Sequence, residues 1–570
     1  MNEISLYKRW MEHVTDAELR EELAALAGQE EEIAERFYRE LEFGTGGLRG
    51  VLGAGSNRMN LYTVGKASQG YANYLKARFP APSVAISYDS RIHSDLFARH
   101  AAAVFAANGV AVHLYPRLMP TPALSFAVRD LRCSGGVMIT ASHNPAQYNG
   151  YKVYGSDGCQ ITTEAAAAIQ REIDLVDCFD DVPAVDYDDL CRAGRIAPIG
   201  EDTVERYLAA VDGCSLLPEG VDKDFSIVYT PLNGAGISCV PRCLRQHGFT
   251  RLVIPPEQGT PDGRFPTCPY PNPEIREALA RGLELCESAH PDLLLATDPD
   301  ADRVGIAVPH EGSYHLLSGN EVGVLLTDYA CRVRAARGED LTQGVVVTTI
   351  VSSSMTDALA RSHGFQLRRT LTGFKHIGGQ IALLEQAGAP QRYLMGFEES
   401  YGYLAGTHVR DKDAVVASML ICQMARYHKA RGLDLYEAME ELYAEYGYYK
   451  NATISLSYPG AAGAAKMAQL TAGLRANPPE EIAGLAVEAV VDYLHGAPMP
   501  IVNPLPGEEP QTLPGADVLE YQLAGGSKLM IRPSGTEPKI KAYIFAYGAT
   551  RADSEQVAAQ LEDAARALLG

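Results

Sequence analysis

Five segments of the chain gather oxygen- and charge-bearing side chains, most of them at the ends of apolar runs. The first, TASHNPAQYNGYK, follows GGVMI and carries Ser142, His143 and Lys152. Open α/β sheets place ligand loops at strand ends, so Ser142 lies in a candidate site, although Asn-Pro is also a plain turn former. A hydrolase nucleophile elbow would require G-x-S-x-G, whereas this segment reads A-S-H. A Ser-His-Asp hydrolase is therefore disfavoured, and His143 is better placed to face a substrate than to orient Ser142.

The second segment, DPDADRVG, follows LLLAT and alternates Asp298, Asp300 and Asp302. In an extended stretch such carboxylates project to one side and can enclose a hard cation through oxygen alone. An EF-hand is excluded, because its sixth position is Arg303 instead of Gly and its twelfth is Pro309 instead of Glu. Arg303, adjoining the trio, is a candidate phosphate ligand.

In MGFEESYGYL, Glu398, Glu399 and Ser400 end another apolar run and offer hydrogen bonds to sugar hydroxyls; THVRDKDA then supplies His408, Arg410 and Lys412 as cationic and proton-transferring groups. Lys412, between two aspartates, reads equally as a surface ion-pair lysine. The last segment, IRPSGTEPKIKAY, sets Arg532 before Ser534, Gly535 and Thr536, the parts of a phosphate cradle, with Lys539 and Lys541 alternating on the strand that follows. Neither a Walker A nor a G-x-G-x-x-G motif occurs, and the glycine-rich FGTGGLRG at 43–50 fits neither.

These segments need a large scaffold. A chain of 570 residues exceeds what one core supports, so three to five domains are expected. Residues 15–42 read as solvent-facing helices. From Ser83 a βαβ pattern begins: SVAISYDSR, a helix SDLFARHAAAVFAAN with Ser94 as N-cap and Gly109 beyond its end, then VAVHLYP. The pattern recurs from FSIVYTPLNGAG, through a helix PEIREALARGLELCESA, to DLLLATDPD, and again from GVVVTTIVSSS to RYLMGFEES. After about residue 448 paired strands joined at Gly525-Gly526 and flanking helices suggest an α+β domain, with a Pro-rich loop over 498–514. The net charge of −21 disfavours nucleic acid and anionic membrane surfaces as partners. Eleven scattered cysteines without a C-x-x-C pair, and no apolar leader or spanning stretch, point to a reduced, cytoplasmic protein.

Taken in order, TASHNP, DPDADR, EES and RPSGT resemble the α-D-phosphohexomutase superfamily over nearly the whole chain, and FGTGGLRG, GFEESYGYL and RPSGTEPKIK are most similar to its phosphoglucomutase branch. The resemblance implies four domains around a central cleft: three related α/β/α domains with mixed sheets and a C-terminal α+β domain, divided here as 1–210, 211–320, 321–448 and 449–570. It implies that Ser142 is phosphorylated and that its phosphate, with Asp298, Asp300 and Asp302, binds Mg2+. Arg303 would contact the phosphoserine, and His143, Lys152 and Lys412 would serve proton transfer or positioning. Glu398 and Ser400 would hold sugar hydroxyls, and Thr372 and Gly373, with Lys375 beside them in LTGFKHIG, would line the sugar loop. Arg532, Ser534, Gly535 and Thr536 would hold the distal phosphate; Arg49 and Arg91 would support the serine loop, and His408 is a further supporting residue. Many relatives carry an arginine where this chain has Lys539 and Lys541, and lysine lacks the bidentate fork. The implied reaction interconverts glucose 1-phosphate and glucose 6-phosphate through glucose 1,6-bisphosphate. Mannose, glucosamine or pentose phosphates, a bisphosphate synthase or a non-catalytic sugar-phosphate sensor are the alternatives.

Overall fold

Val84, Ile86, Val137 and Ile139 are fully buried, and their β-branched side chains suit the pleat at the centre of a sheet. They lie on β2 (Ser83–Tyr88) and β4 (Gly135–Ile139), the middle of a six-stranded sheet with β1 (Gly47–Val51), β3 (Ala111–Leu114), β5 (Tyr148–Gly155) and β6 (Ile196–Pro198). The order is β1-β5-β4-β2-β3-β6; β4, β2, β3 and β6 run parallel, and β5 is antiparallel to both β4 and β1. The computed structural model describes residues 2–44, 46–218, 224–458, 460–534 and 539–570.

Two units are resolved. The first comprises Met1–Ser215, Asp222–Ala307 and Gly402–Cys422; the second comprises Leu216–Val221, Val308–Tyr401 and Gln423–Gly570. In the first unit, β7 (Ser226–Thr230) pairs in parallel with β8 (Arg251–Val253) and β9 (Leu293–Thr297), and β10 (Val304–His310) turns back antiparallel on β9. The expected helix from Pro273 is shorter than its sequence pattern and spans Ala280–Ala289. Asn272 Oδ1 accepts the Glu274 amide, and Ile275 and Ala278 pack on Leu232 and Cys268, so 272–279 is drawn into turns instead. Ser94 is the first residue of its helix; His93, at φ +63°, is the N-cap, and the Ser94 hydroxyl is given to Asp89.

The N-terminal helices (Glu3–His13, Ala17–Ala25, Glu30–Phe37) are not merely solvent-facing. Trp10, Leu23, Ile33 and Phe37 form a core of their own, with Tyr62 and Phe179 packed against it. The many glutamates of this region lie on the outer faces and mask that stripe in the sequence.

In the second unit, the strand Val345–Thr349 lies between Gln366–Thr370 and Tyr393–Glu398, parallel to both. The Pro-rich segment contains short strands, one of which, Ile501–Val502, pairs antiparallel with Gln366–Thr370, while Glu508 is held by Arg368. The C-terminal sheet is antiparallel, with Tyr448–Ser457, Lys539–Gly548, Lys528–Pro533 and Leu519–Leu523 successively paired. Ala558, Leu561, Ala565 and Leu569 of the terminal helix close the core over it. The fold is thus three α/β/α domains with mixed sheets and a C-terminal domain with an antiparallel sheet. All eleven cysteines are free thiols, and among the described residues no helix is long and apolar enough to cross a membrane.

Candidate active site

The serine loop begins where β4 runs out. Ser142 adopts φ +51°, in the left-handed region that a non-glycine residue enters only when its surroundings hold it there. Here Thr140 Oγ1 accepts the Ser142 amide at 2.8 Å and donates to Asp89 Oδ2 at 2.7 Å. The guanidinium of Arg91 donates to Ser142 O at 2.5 Å, Pro145 O at 3.0 Å, Tyr148 O at 2.9 Å and Asn144 O. One buried planar fork therefore gathers three loop carbonyls and that of Tyr148 at the start of β5. Arg49 adds a bond to Asn144 Oδ1 at 3.1 Å. Arg49 can sit there because β1 pairs closely with β5: a Cβ on Gly47, at φ +140°, would fall 1.8 Å from Tyr151 O.

The three aspartates converge, but not by alternation along an extended strand. Residues 298–303 form the tight turn between β9 and β10: Asp298 Oδ1 accepts the amides of Asp302 and Arg303 at 3.1 Å each, and Ala301 has φ +50°. The antiparallel return of β10, with Val304 opposite Thr297, leaves only this turn for all three carboxylates. Gly234 lets the neighbouring loop press against it, since a Cβ there would lie 2.4 Å from Pro299 Cα.

Within this buried cluster Ser142 Oγ donates to Asp298 Oδ2 at 2.8 Å and lies 3.3 Å from His143 Nδ1. Asp300 Oδ2 receives Thr121 Oγ1 and Lys152 Nζ, both at 2.7 Å. Asp302 Oδ2 faces Lys152 Nζ at 3.3 Å and Lys412 Nζ at 3.1 Å. Lys412 is thus a buried ion-pair lysine, also 3.2 Å from Asp411 Oδ1, while Asp411 Oδ2 accepts from Tyr154 and Gln160. Arg303 donates through Nη1 to Glu274 Oε1 at 2.5 Å, so a phosphate approaching it meets a guanidinium already shared with a carboxylate.

Burial, then the charges of Asp300 and Asp302, hold the Asp298 carboxyl well above its usual range. Burial acts the same way on Asp300, but the Lys152 ammonium and the Thr121 hydrogen bond outweigh it and the carboxyl is lowered. Burial and then the cations Arg303 and Arg49 keep the His143 imidazole well below its usual value, hence neutral. Asp300 Oδ1 and Asp302 Oδ1 are buried and accept no hydrogen bond, and carboxylate oxygens of the trio lie within 4.8 Å of one another. Orphaned, closely set anionic oxygens are what a hard divalent cation requires. The residues fit a metal of that kind.

His408 is buried in the loop that carries Lys412, its Nε2 at 2.9 Å from Asp413 Oδ2 and its Nδ1 at 3.9 Å from Cys214 Sγ. Burial alone would lower it, but Asp413 and Cys214 push its pKa up to about 9. Asp413 in turn caps the next helix through the amides of Val415 and Val416, so the His408–Asp413 pair braces the lysine loop.

In the second unit Glu398 ends the strand Tyr393–Glu398 and is buried; Glu399 Oε2 accepts from Thr349 Oγ1 at 2.9 Å, and Ser400 is half-buried. Thr372 and Gly373, at φ +106°, precede the helix Phe374–Gln386, whose first turn carries Lys375. Arg369, which the motifs did not single out, ties down the loop after Thr349 through Thr349 O, Ser352 O and Ser353 O. Arg532 stands opposite Lys541 in the C-terminal sheet, and the Ser534 amide donates to Lys539 O at 2.8 Å. Gly535 and Thr536 lie outside the described residues.

Residues 40–177, 205–312 and 318–446 match, in order, the α/β/α domains I, II and III of phosphoglucomutase/phosphomannomutase. The chain belongs to that family. It is 36% identical over 541 residues to a phosphoglucomutase of Staphylococcus aureus (strain bovine RF122 / ET3-1), with 94% of each chain covered. Among solved structures, a putative phosphomannomutase from Thermus thermophilus superposes with TM-score 0.68 at 25% identity, covering 93% of this chain and 99% of the other. Parafusin, a phosphoglucomutase from Paramecium, shares the fold at TM-score 0.67 and 18% identity, covering 93% of this chain and 95% of its own. Family membership makes the chain a phosphohexomutase, an isomerase of carbohydrate metabolism.

Asp89, Thr140, Thr121 and Asp411 build this site although the motifs did not single them out, Thr140 and Asp411 being letters of TASHNP and THVRDKDA to which no role was given. Asp89 at least falls within YDSR, beside Arg91, but nothing local marks Thr121, which reaches Asp300 from 179 positions away.

Proposed function

We propose that the chain interconverts glucose 1-phosphate and glucose 6-phosphate, with Ser142 as the phosphorylated residue and glucose 1,6-bisphosphate as intermediate and activator. The observation that carries this reading is the 2.8 Å contact of Ser142 Oγ with the buried aspartate trio. Binding alone requires neither a hydroxyl at that place nor three clustered carboxylates.

In the first half-reaction a sugar hydroxyl oxygen forms the new O–P bond as the Oγ–P bond of phosphoserine breaks. The hydroxyl proton passes to a protein base and is afterwards delivered to Oγ. His143, neutral and 3.3 Å from Oγ, is suited to carry it. Lys152, which burial pulls down but Asp300 and Asp302 keep above its ordinary value, and Lys412, ion-paired to Asp302 and Asp411, are placed to offset the charge of the transferring group. The bisphosphate reorients, and its other phosphoryl group returns to Ser142. Asp298, Asp300 and Asp302, with the serine phosphate, would hold Mg2+; when bound, that ion neutralises charge on the phosphoryl oxygens. Arg303 is assigned to the phosphoserine, Glu398 and Ser400 to sugar hydroxyls, Thr372, Gly373 and Lys375 to the sugar loop. Arg532, Ser534, Gly535 and Thr536, with Lys539 or Lys541, are assigned to the distal phosphate. The domain limits near 210, 320 and 448 and a cytoplasmic location belong to the same reading.

Coupled assays on the 1-phosphates of glucose, mannose, glucosamine and a pentose test the substrate. Glucose 1-phosphate should give the highest kcat/KM; a faster mannose or pentose reaction would reject glucose while leaving the phosphoserine route standing.

A further inference from the structure

Within the first unit a cavity of about 470 Å3 lies between the helix Ala17–Ala25, residues 52–61 and the start of the helix Ser94–Ala107. None of its lining residues belongs to the site described above. Its apolar wall includes Leu19, Met59 and Phe97, and at its edge Leu96 is 41% exposed.

The charges of the cavity have one sign. Asp16, Glu18, Glu21 and Glu22 line it, and no lysine or arginine does. Asp16 is engaged in capping its own helix through the Leu19 amide, and Glu22 is held by Arg36 and the Ala54 amide. Glu18 lies 3.8 Å from His93 Nε2 with its own side chain largely exposed, and Glu21 is exposed. Two carboxylates thus overlook an apolar hollow, which is complementary to a positive charge on an apolar body.

The cavity is also tied to the serine loop from two sides. The Leu52 amide donates to Gln147 O at 2.8 Å, and Ile92 O accepts Asn149 Nδ2 at 2.9 Å; Leu52 and Ile92 both line the cavity. Ile92 directly follows Arg91, whose guanidinium holds those four carbonyls, and precedes His93 with its left-handed backbone. An occupant that fixes Leu52 and Ile92 therefore steadies the two contacts that hold Gln147 and Asn149, at the end of the serine loop.

We propose that this cavity binds a small organic cation with an apolar body, and that its occupancy is transmitted to the serine loop. The test uses the full chain, isothermal titration with 2-phenylethylammonium and with its neutral isostere 2-phenylethanol, and hydrogen exchange over residues 142–149. The ammonium should bind saturably and about 10-fold tighter than the alcohol. Glu18→Gln with Glu21→Gln should erase that preference, and Leu96→Lys should abolish binding; these exposed positions make the variants safe to fold. Occupancy should slow exchange of the loop amides by at least about 2-fold. No saturable binding, equal affinity for ammonium and alcohol, or variants that bind like the parent would overturn the site. Binding with unchanged loop exchange would overturn the transmission. Neither readout requires turnover, so the outcome is independent of the proposed mutase reaction.

Discussion

Ser142 Oγ and Asp298 Oδ2, 156 positions apart in the chain, share a hydrogen bond of 2.8 Å. The contact joins the loop after β4 to the turn between β9 and β10, so a group carried on Ser142 is next to the aspartates from the moment it is formed. Ser142→Ala should lower mutase activity by about 10^4-fold or more, as loss of a covalent nucleophile does. In the parent protein, peptide mapping should find about 80 Da on the TASHNP peptide. A Ser142→Ala protein with full turnover would dismiss the phosphoserine assignment.

Thr121 orients Asp300 from outside the metal trio, its hydroxyl 2.7 Å from Oδ2 and its amide 2.8 Å from Asp300 O. Thr121→Val removes the hydroxyl at constant shape. It should weaken Mg2+ activation by about 10 to 100-fold, with kcat recovering at saturating metal. Chelation should abolish turnover in the parent and added Mg2+ restore it. An unchanged Mg2+ requirement in the variant would mean that Thr121 only packs.

Gly234 bears on the same turn from the other side. Gly234→Ala drives a Cβ against Pro299 backbone atoms at 2.4 and 2.6 Å, which cannot swing away as a side-chain tip would. The turn must shift, and a drop in Mg2+ affinity should accompany a stability loss of about 1–3 kcal/mol. Denaturant melts with and without Mg2+ check both parts together.

The His408–Asp413 pair makes stability depend on pH in a definite direction. Folding raises the imidazole from its ordinary 6.5 to about 9, so the folded state binds the proton more tightly than the unfolded one. Its contribution, on the order of 3 kcal/mol, is complete below about pH 6.5 and fades as pH rises through 9. Melting curves from pH 6 to 9.5 should show parent and His408→Gln converging toward the alkaline end, with Asp413 and Cys214 common to both. Parallel curves would show that the imidazole is neutral throughout.

Arg532→Ala should lower kcat/KM for the sugar phosphate by about 10 to 100-fold, the worth of a lost charge-assisted hydrogen bond. Arg532→Lys should recover only part of it, since lysine offers no fork. The variant should also depend more on added glucose 1,6-bisphosphate. Steady-state kinetics with titrated bisphosphate decide; unchanged values would move the distal phosphate to Lys539 or Lys541.

The motifs of the chain marked the segments that the structure brings together around Ser142, but not the geometry that does so. DPDADR pointed to the cluster of carboxylates that the structure shows, yet the inference of an extended, alternating strand missed the β9–β10 turn, because register depends on which strand returns beside which. Asp89 and Thr121 were silent, since a carboxylate or hydroxyl that acts across 51 or 179 positions leaves no local period to detect. Pro273 to Leu279 carries helix formers, and there side-chain contacts with Leu232 and Cys268 override propensity. The strand Ile501–Val502 escaped notice because it is two residues long and owes its pairing to a partner far back in the chain.

Trp10, the only tryptophan among 570 residues, is 3% exposed and meets Phe37, Tyr62 and Phe179 edge-on. Intrinsic indole fluorescence is therefore a single-point probe: its emission should be blue-shifted in the native protein and move to the red when the three N-terminal helices detach. Everything from Val308 to Tyr401 and from Gln423 onward is spectroscopically dark by that channel. A fluorescence melt of this enzyme reports the fate of its N-terminal helices and of their seat on Tyr62 and Phe179.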